Sequence, residues 1–156
     1  MTIIGIDPGS ESTAYAIMAA DYSVVCADKV LNLEFLNCGL RDILYCNNIK
    51  AVVIEGIQCY GMVAGRSIFD TCYVVGECRQ IAKNLEIDHF IYNRPEYARA
   101  IVGGVKVTDA LIRGALTARF GGDKKGEPLH KLKGNSDKRS AYAVAVFHAD
   151  KTKYES

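Results

Sequence analysis

The chain has 156 residues, of which 49% are hydrophobic, a formal net charge of +1 and six cysteines. This length and composition predict one globular domain over residues 1–156 and exclude a disordered, collagen-like or disulfide-scaffold protein. No apolar run is long enough to span a membrane, no secretory signal is present and no cysteine pair has zinc-site spacing, so we expect a cytoplasmic protein with reduced, mostly structural cysteines.

The first part of the chain predicts an antiparallel meander of three strands. Residues 3–6 are a short, continuously apolar run before a Pro-Gly turn, as in a central strand that is buried on both faces. Residues 13–20 and 23–30 are further strand candidates, and only two residues separate them. So short a connection favours antiparallel pairing.

Two helices flank a fourth strand in the middle of the chain. Apolar residues recur at helical spacing at Leu33, Leu36, Leu40 and Ile43 or Leu44, and Asn47-Asn48 closes this helix. Residues 51–54 form the fourth strand. The longest helix lies between residues 63 and 85, and its predicted buried stripe consists of Ile68, Phe69, Cys72, Val75, Cys78, Ile81 and Leu85.

The last part of the chain predicts a short strand, three helices and one long loop. Residues 89–92 are the fifth strand, Pro95 opens a brief helix, and Gly103-Gly104 ends it. Thr108 caps a helix over residues 109–120, and residues 121–135 form a loop whose length is typical of functional or disordered segments. The final helix, residues 137–149, packs Ala141, Ala145 and His148 on one face.

This order of elements predicts an α/β fold with a five-stranded mixed sheet, three antiparallel strands followed by two parallel ones, flanked by helices. A right-handed crossover would place the fourth strand beside the first. Asp7 and Glu55 would then end adjacent strands at the same sheet edge, where ligands collect in sheets with parallel strands. Asp137 begins the last helix, a position that favours a carboxylate.

Three acids at one edge predict a metal site. Each acid alone has a structural explanation, as part of a turn, a solvated strand end or a helix cap, and only their joint placement favours a site. Carboxylates that cluster without basic partners repel one another unless divalent cations neutralise them. Oxygen ligands select Mg²⁺ or Mn²⁺, and two such ions roughly 4 Å apart can activate a water and stabilise the leaving oxygen of a phosphodiester. The predicted reaction is phosphodiester hydrolysis.

Three motifs together resemble the RuvC-type Holliday junction resolvases of the ribonuclease H-like superfamily. They are Ile4-Gly5-Ile6-Asp7-Pro8-Gly9-Ser10, Val53-Ile54-Glu55 and the Asp137-x-x-Ser140-Ala141-Tyr142-Ala143-Val144-Ala145 helix, while Gly61-Met62-Val63-Ala64-Gly65 and Gly76-Glu77 look like bacteriophage members. The resemblance implies a ribonuclease H-like fold and a homodimer that binds four-way DNA junctions in recombination and repair. It also implies symmetric nicking with Mg²⁺ or Mn²⁺ and catalytic, metal-binding roles for Asp7, Glu55 and Asp137.

One position departs from the pattern of this family. Many members carry two acids three residues apart at the start of the last helix, and here the second position is Ser140. Residues at this spacing share a helix face, so Ser140 would still point at the site. It would offer only a neutral hydroxyl or hold a metal-bound water.

Basic residues concentrate around Asp137 and in neighbouring loops, where we expect them to hold DNA phosphates. The candidates are Arg94, Lys106, Lys124, Lys125, Lys131, Lys133, Lys138 and Arg139. For any single lysine, an exposed soluble loop is an equally good explanation. Tyr60, in a glycine-flanked loop after Glu55, is a candidate for stacking on an unpaired base, and a half-buried loop aromatic is the slightly preferred alternative.

Three functions are compatible with these patterns. The leading hypothesis is a metal-dependent, structure-selective DNA endonuclease that resolves four-way junctions, with flaps and RNA–DNA hybrids as further possible substrates. The alternative is a non-catalytic or weakly catalytic module that binds branched DNA, which the serine at position 140 favours. A phosphotransferase is the third, because the sugar kinase and actin-like superfamily has a similar N-terminal turn, although such proteins normally need a second domain.

Overall fold

Five strands form one mixed sheet in the computed structural model, which describes residues 1–154. Their bounds are Thr2–Pro8 (β1), Ser12–Met18 (β2), Val24–Leu31 (β3), Ile49–Gly56 (β4) and Asp88–Asn93 (β5). The order across the sheet is β3-β2-β1-β4-β5, with antiparallel pairing on one side of β1 and parallel pairing on the other. The predicted sheet is confirmed, and the strand limits differ from the expected ones by no more than two residues.

Helices cover both faces of this sheet. Their bounds are Asn32–Glu34 (α1), Leu40–Cys46 (α2), Arg66–Asn84 (α3), Arg94–Val102 (α4), Asp109–Phe120 (α5) and Ser136–Tyr154 (α6), with a π-helical stretch over Phe35–Gly39 and a 3₁₀ turn over His130–Leu132. Thr108 caps α5 as expected, because its side chain accepts a hydrogen bond from the amide of Leu111. Gly103, at φ 74°, ends α4 in the left-handed conformation that glycine adopts easily.

The two faces of β1 belong to two apolar layers. Ile4 and Ile6 pack towards the segment that runs from α1 to α3, whereas Ile3 packs towards α4, α5 and α6. Gly5 lies on the α6 face, where a Cβ atom would stand 1.8 Å from the carbonyl oxygen of Ala141. Only glycine permits this approach of strand and helix. Because side chains alternate along a strand, Asp7 points to the same face as Gly5, towards the start of α6.

The predicted stripe of α3 is only partly correct. Cys78 and Ile81 are buried, but Phe69, Cys72 and Leu85 are exposed. The helix fully buries side chains only from Val74 onwards, and Phe69, Cys72 and Tyr73 of its first half stay exposed in the single chain. In the first helical segment, Leu33 is likewise exposed and Phe35 is buried in its place.

All six cysteines are free, and Cys78 is the one that is buried. The expectation that they are mostly structural is therefore wrong, because Cys38, Cys46 and Cys72 are exposed. The long loop before α6 is anchored to the core through the buried side chains of Leu129 and Leu132. Within residues 1–154, no helix is long and apolar enough to cross a membrane.

Candidate active site

The strand register places Asp7 beside Glu55. Ile6 pairs with Ile54 in the parallel β1–β4 ladder, so the residues one step further along these strands are neighbours at the carboxyl edge. Val53 faces α6, and alternation turns Glu55 to that same side. The two acids therefore lie side by side as predicted, because the crossover between β3 and β4 places β4 parallel to β1 in this register.

Two basic residues lie at the same edge. Asp7 pairs with Ala14 on β2, and Ala14 pairs in turn with Lys29 on β3, so Lys29 lies two strands away from Asp7 in one row of the sheet. On the other side, β5 ends at the level of β4, and Arg94 follows immediately as the first residue of α4. The site is thus flanked by one cation on each side.

The third acid, Asp137, lies in the first turn of α6. Asn135 supplies the cap of this helix, because its Oδ1 atom accepts hydrogen bonds from the amides of Asp137 at 2.8 Å and Lys138 at 3.3 Å. The carboxylate of Asp137 is therefore not needed for capping. It forms an ion pair with Lys29, whose Nζ lies 2.5 Å from Oδ2 of Asp137.

Four charged residues of the site act on the pKa of Asp7. Burial, Glu55 and Asp137 together raise its pKa to about 8, against the weaker opposing effects of Arg94 and Lys29. Among the described residues, none donates a hydrogen bond to the Asp7 carboxylate. A partly buried carboxylate with acidic neighbours and no hydrogen-bond donor of its own is suited to bind a cation.

Glu55, unlike Asp7, has a hydrogen-bond partner and an ion-pair partner. Burial raises its pKa, whereas a hydrogen bond from Tyr97 and the charge of Arg94 lower it. The hydroxyl of Tyr97 donates to Oε2 at 2.8 Å, and Nη1 of Arg94 lies 3.6 Å from Oε1. Both oxygens of Glu55 therefore have a partner.

Arg94 binds several elements at once. It donates a hydrogen bond of 3.0 Å to Oγ of Ser140, forms an ion pair with Asp109, and lies 3.4 Å from the hydroxyl of Tyr97. Arg94 was predicted to contact DNA from a loop, and the structure places it beside the acids, at Glu55 and Ser140. Two of the three acids therefore have a basic partner, Glu55 in Arg94 and Asp137 in Lys29.

Sequence reasoning missed Lys29, Tyr97 and Asp109. For Lys29 the signal was alternation along a correctly predicted strand, which puts it on the same face as Ala27, two residues earlier. Only the register across β2 shows that Lys29 reaches the acids. No spacing rule links Tyr97 to Glu55, since they are 42 residues apart in the chain.

Two pockets open on either side of Asp7. One, of about 340 Å³, is lined by Glu55, Tyr60 and Arg94, and the other, of about 290 Å³, is lined by Ser10, Lys29 and Asp137. Over the described part of the chain, no group of three or more His, Cys, Asp or Glu side chains is placed ready to hold a metal ion. The oxygen donors have the chemistry that Mg²⁺ or Mn²⁺ requires, but Lys29 and Arg94 stand against two of them.

The predicted DNA-contacting residues differ in their exposure and in the hydrogen bonds that they form within the chain. The exposed lysines are Lys106, Lys124, Lys125, Lys131 and Lys133, whereas Lys138 and Arg139 are partly buried. The Nζ atoms of Lys131 and Lys138 donate to the carbonyl oxygens of Val25 and Lys131, respectively. Nη1 of Arg139 donates to the carbonyl oxygen of Leu132 at 3.4 Å. Tyr60 is 66% exposed at the rim of the pocket beside Glu55, so it is not half-buried.

Known structures share this fold. The RuvC protein of Thermus thermophilus in complex with a Holliday junction substrate matches 99% of this chain and 96% of its own, with 15% identity and a TM-score of 0.80. The fowlpox virus Holliday junction resolvase matches 97% and 99%, with 16% identity and a TM-score of 0.61. The yeast mitochondrial Holliday junction resolvase matches 94% and 78%, with 8% identity and a TM-score of 0.53.

No protein-family model and no curated protein sequence matches the chain. The similarity therefore lies in the structure, which has the ribonuclease H-like fold of the RuvC-type resolvases. The fold expected from the three motifs is confirmed, and the likeness to bacteriophage members stays a prediction.

Proposed function

We propose, from this resolvase fold and the acids at its sheet edge, that the chain is a metal-dependent endonuclease that hydrolyses phosphodiesters in four-way DNA junctions and related branched DNA. The observation that carries the proposal is the position of the three acids, because Asp7 and Glu55 end adjacent strands and Asp7 lines one pocket with Glu55 and another with Asp137. Neighbours with the same fold are described as Holliday junction resolvases.

Asp7, Glu55 and Asp137 are the proposed ligands of Mg²⁺ or Mn²⁺. A bound divalent cation supplies charge neutralisation at the phosphate and lowers the pKa of water. Asp7 is proposed as the central ligand, because it lines both pockets, one with Glu55 and the other with Asp137. Ser140 accepts a hydrogen bond from Arg94, so its role is to hold that guanidinium at the site.

The exposed lysines beside α6 are the proposed phosphate contacts. Lys124 and Lys125 lie in the loop before the helix that carries Asp137. Such contacts give salt-sensitive affinity that does not depend on base sequence. Tyr60 stands exposed at the rim of the pocket beside Glu55 and Arg94, a suitable position for stacking on an unpaired base.

A second copy of the chain is the proposed partner of α3. Phe69 is 53% exposed and Tyr73 is 68% exposed, and they lie one helical turn apart with Cys72 between them. A Cβ atom added to Gly76, one turn further, would meet no atom of residues 1–154 within 4 Å apart from its own turn of helix. This uncovered apolar face suits a homodimer that presents two sites to one junction.

A cleavage panel tests the function. Purified protein is incubated with a four-way junction, a flap, an RNA–DNA hybrid and a linear duplex, each with Mg²⁺ or Mn²⁺. We expect the junction to be cut into nicked duplexes, and we expect Asp7→Asn, Glu55→Gln and Asp137→Asn to lose about a hundredfold or more of the rate while retaining junction binding.

The matched control is Asp42→Asn, which removes an exposed acid on α2 that lines neither pocket beside Asp7. Cutting at the wild-type rate by Asp7→Asn would overturn the assignment of the site. Equal cutting of linear duplex and junction would overturn the proposed selectivity.

A second candidate is a branched-DNA-binding module without catalysis or with weak catalysis. The ion pairs of Glu55 with Arg94 and of Asp137 with Lys29 favour it, because they occupy two of the three acids. This candidate predicts junction binding with no product under any divalent ion, and a gain of cleavage in Ser140→Asp. Robust wild-type cleavage would exclude it.

A further inference from the structure

One asparagine from another part of the chain holds the turn that follows Asp7. Asn32, the first residue of α1, donates from Nδ2 to the carbonyl oxygen of Gly9 at 2.9 Å, and its backbone amide donates to the carbonyl oxygen of Glu11 at 2.9 Å. Its Oδ1 atom accepts a hydrogen bond of 2.7 Å from the hydroxyl of Thr13. Asn32 therefore binds the turn at two carbonyls and β2 at one hydroxyl.

The hydroxyl of Thr13 fixes the Asn32 side chain from inside the fold. Thr13 is fully buried and pairs with Pro8 across the β1–β2 ladder. A buried hydroxyl needs a hydrogen-bond partner, and Oδ1 of Asn32 is that partner. Because Oδ1 is bound to Thr13, the amide nitrogen of the same side chain is directed at Gly9. The hydrogen bonds of Asn32 thus select one position of the turn.

The direction of the Asp7 carboxylate depends on this turn. The parallel pairing of β1 with β4 ends at Ile6 and Ile54, so Asp7 itself is paired on its β2 side, with Ala14. Its carboxylate receives no hydrogen bond from the described residues, whereas Glu55 has partners at both oxygens. The backbone on either side of Asp7 therefore directs its side chain, and the turn is the part of that backbone that no parallel strand supports.

The same turn forms a wall of both pockets beside Asp7. Pro8 and Ser10 line the pocket on the Glu55 side and also the pocket on the Asp137 side. The turn is tight, because a Cβ atom at Gly9 would stand 2.6 Å from the carbonyl oxygen of Ser12. A shift of the turn would therefore change both openings as well as the direction of Asp7.

We infer that Asn32 is a positioning residue for cleavage, because its hydrogen bonds to Gly9 and Glu11 hold the turn and so fix the backbone that directs the Asp7 carboxylate. This inference rests on the proposed function for the reaction that Asn32 serves. Asn32 acts through the turn and not on the DNA. Its loss should lower the rate of cutting and leave junction affinity unchanged, since misplacing a reacting group costs rate while the binding contacts remain.

Single-turnover cleavage of a four-way junction at saturating protein separates rate from affinity. Asn32→Ala should lose about tenfold or more of the rate, with the dissociation constant of the junction unchanged. Thr13→Val keeps the shape of the side chain but removes the donor to Asn32, so it should lose part of the rate, whereas Thr13→Ser keeps the hydroxyl and should retain the rate. Asn37→Ala, at an exposed asparagine of the π-helical stretch, is the matched control.

Amide hydrogen exchange without DNA or metal measures the hold of Asn32 on the turn directly. The backbone amide of Asn32 donates to Glu11, and the amide of the buried Val144 in the middle of α6 is the internal reference. Thr13→Val should raise exchange at Asn32 several-fold relative to Val144, and Thr13→Ser should not. An equal rise at both amides would show a general loss of stability and would overturn the inference.

Wild-type cleavage rates in Asn32→Ala and Thr13→Val would also overturn it, as would a loss of junction affinity that accounts for the whole fall in rate. If Asn32→Ala fails to fold, the contrast between Thr13→Val and Thr13→Ser decides. A wild type that cuts no branched DNA would overturn the proposed function alone, because the exchange measurement needs no cleavage. Junction cleavage that Asn32→Ala performs as fast as the wild type would overturn the inference alone.

Discussion

The hydroxyl of Tyr97 donates a hydrogen bond of 2.8 Å to Oε2 of Glu55 from a fully buried ring. This bond lowers the pKa of Glu55, which burial raises. Tyr97→Phe removes the donor, so the pKa of Glu55 rises and less of the carboxylate is ionised at a given pH. We expect the acidic limb of the pH–rate profile for junction cleavage to move to higher pH, with a loss of about tenfold at the low-pH end.

Junction binding should not change in Tyr97→Phe, because the phenol is fully buried and so inaccessible to DNA. Tyr45→Phe, at an exposed position on α2, is the control. A uniform loss of rate at every pH would show that Tyr97 supports the site only through packing.

The raised pKa of Asp7 predicts an unusual pH dependence of the free energy of unfolding in the metal-free protein. Its pKa is about 8 in the folded chain and 3.8 without the protein environment. Between these values the folded state keeps a proton that the unfolded state releases, so the free energy of unfolding falls as pH rises. Asp7→Asn removes this effect, and in EDTA at pH 8 it should be more stable than the wild type by at least about 1 kcal/mol.

Urea unfolding at pH 5 and pH 8 measures this difference, which should be much smaller at pH 5. Excess Mg²⁺ at pH 8 should reduce it again by stabilising the ionised wild type. A constant difference between Asp7→Asn and the wild type at both pH values would contradict the raised pKa.

The sequence was sufficient to predict the sheet and two of its acids, because buried strands and turns are local signals. Asp7 and Glu55 end adjacent parallel strands, and one helical crossover between β3 and β4 brings them together. The environment of these acids was not predictable in the same way. Lys29 reaches them only through a register that passes across β2, and Arg94 turns inward because Asp109 and Ser140 bind it from two helices.

The buried stripe predicted for α3 was partly wrong for a similar physical reason. Helical periodicity finds an apolar face, but it does not distinguish a face that packs on the sheet from one that is left for a partner. Phe69 and Cys72 belong to the second kind, whereas Cys78 and Ile81 belong to the first.

Gly5 should be indispensable to the fold. Because a Cβ atom would stand 1.8 Å from the carbonyl oxygen of Ala141, Gly5→Ala must push α6 away from β1. We expect the free energy of unfolding to fall by about 3 kcal/mol. Gly114→Ala is the control, since no described atom beyond its own turn of helix lies within 4 Å of the added Cβ atom, and alanine favours the helix by roughly 0.5–1 kcal/mol. Similar unfolding midpoints for the two variants would contradict the packing.

The exposed face of α3 predicts a change of assembly. Phe69→Ser with Tyr73→Ser removes its two large aromatic side chains, so a dimer that buries this face should dissociate to monomers. Analytical ultracentrifugation gives the masses, and Tyr45→Ser, which removes an exposed aromatic from α2, should leave them unchanged. A wild type that is monomeric at all concentrations would remove the proposed dimer.

The loop before α6 predicts the salt dependence of junction binding. The ammonium groups of Lys124 and Lys125 are exposed, so each is expected to replace one counterion at a DNA phosphate. Lys124→Ala and Lys125→Ala should each weaken junction affinity and reduce the slope of log K against log salt by about one, with little effect on sequence preference. Lys50→Ala is the control, because Lys50 is exposed near the start of β4, at the opposite end of that strand from Glu55. Equal salt slopes in the loop variants, the control and the wild type would show that this loop does not contact the phosphates.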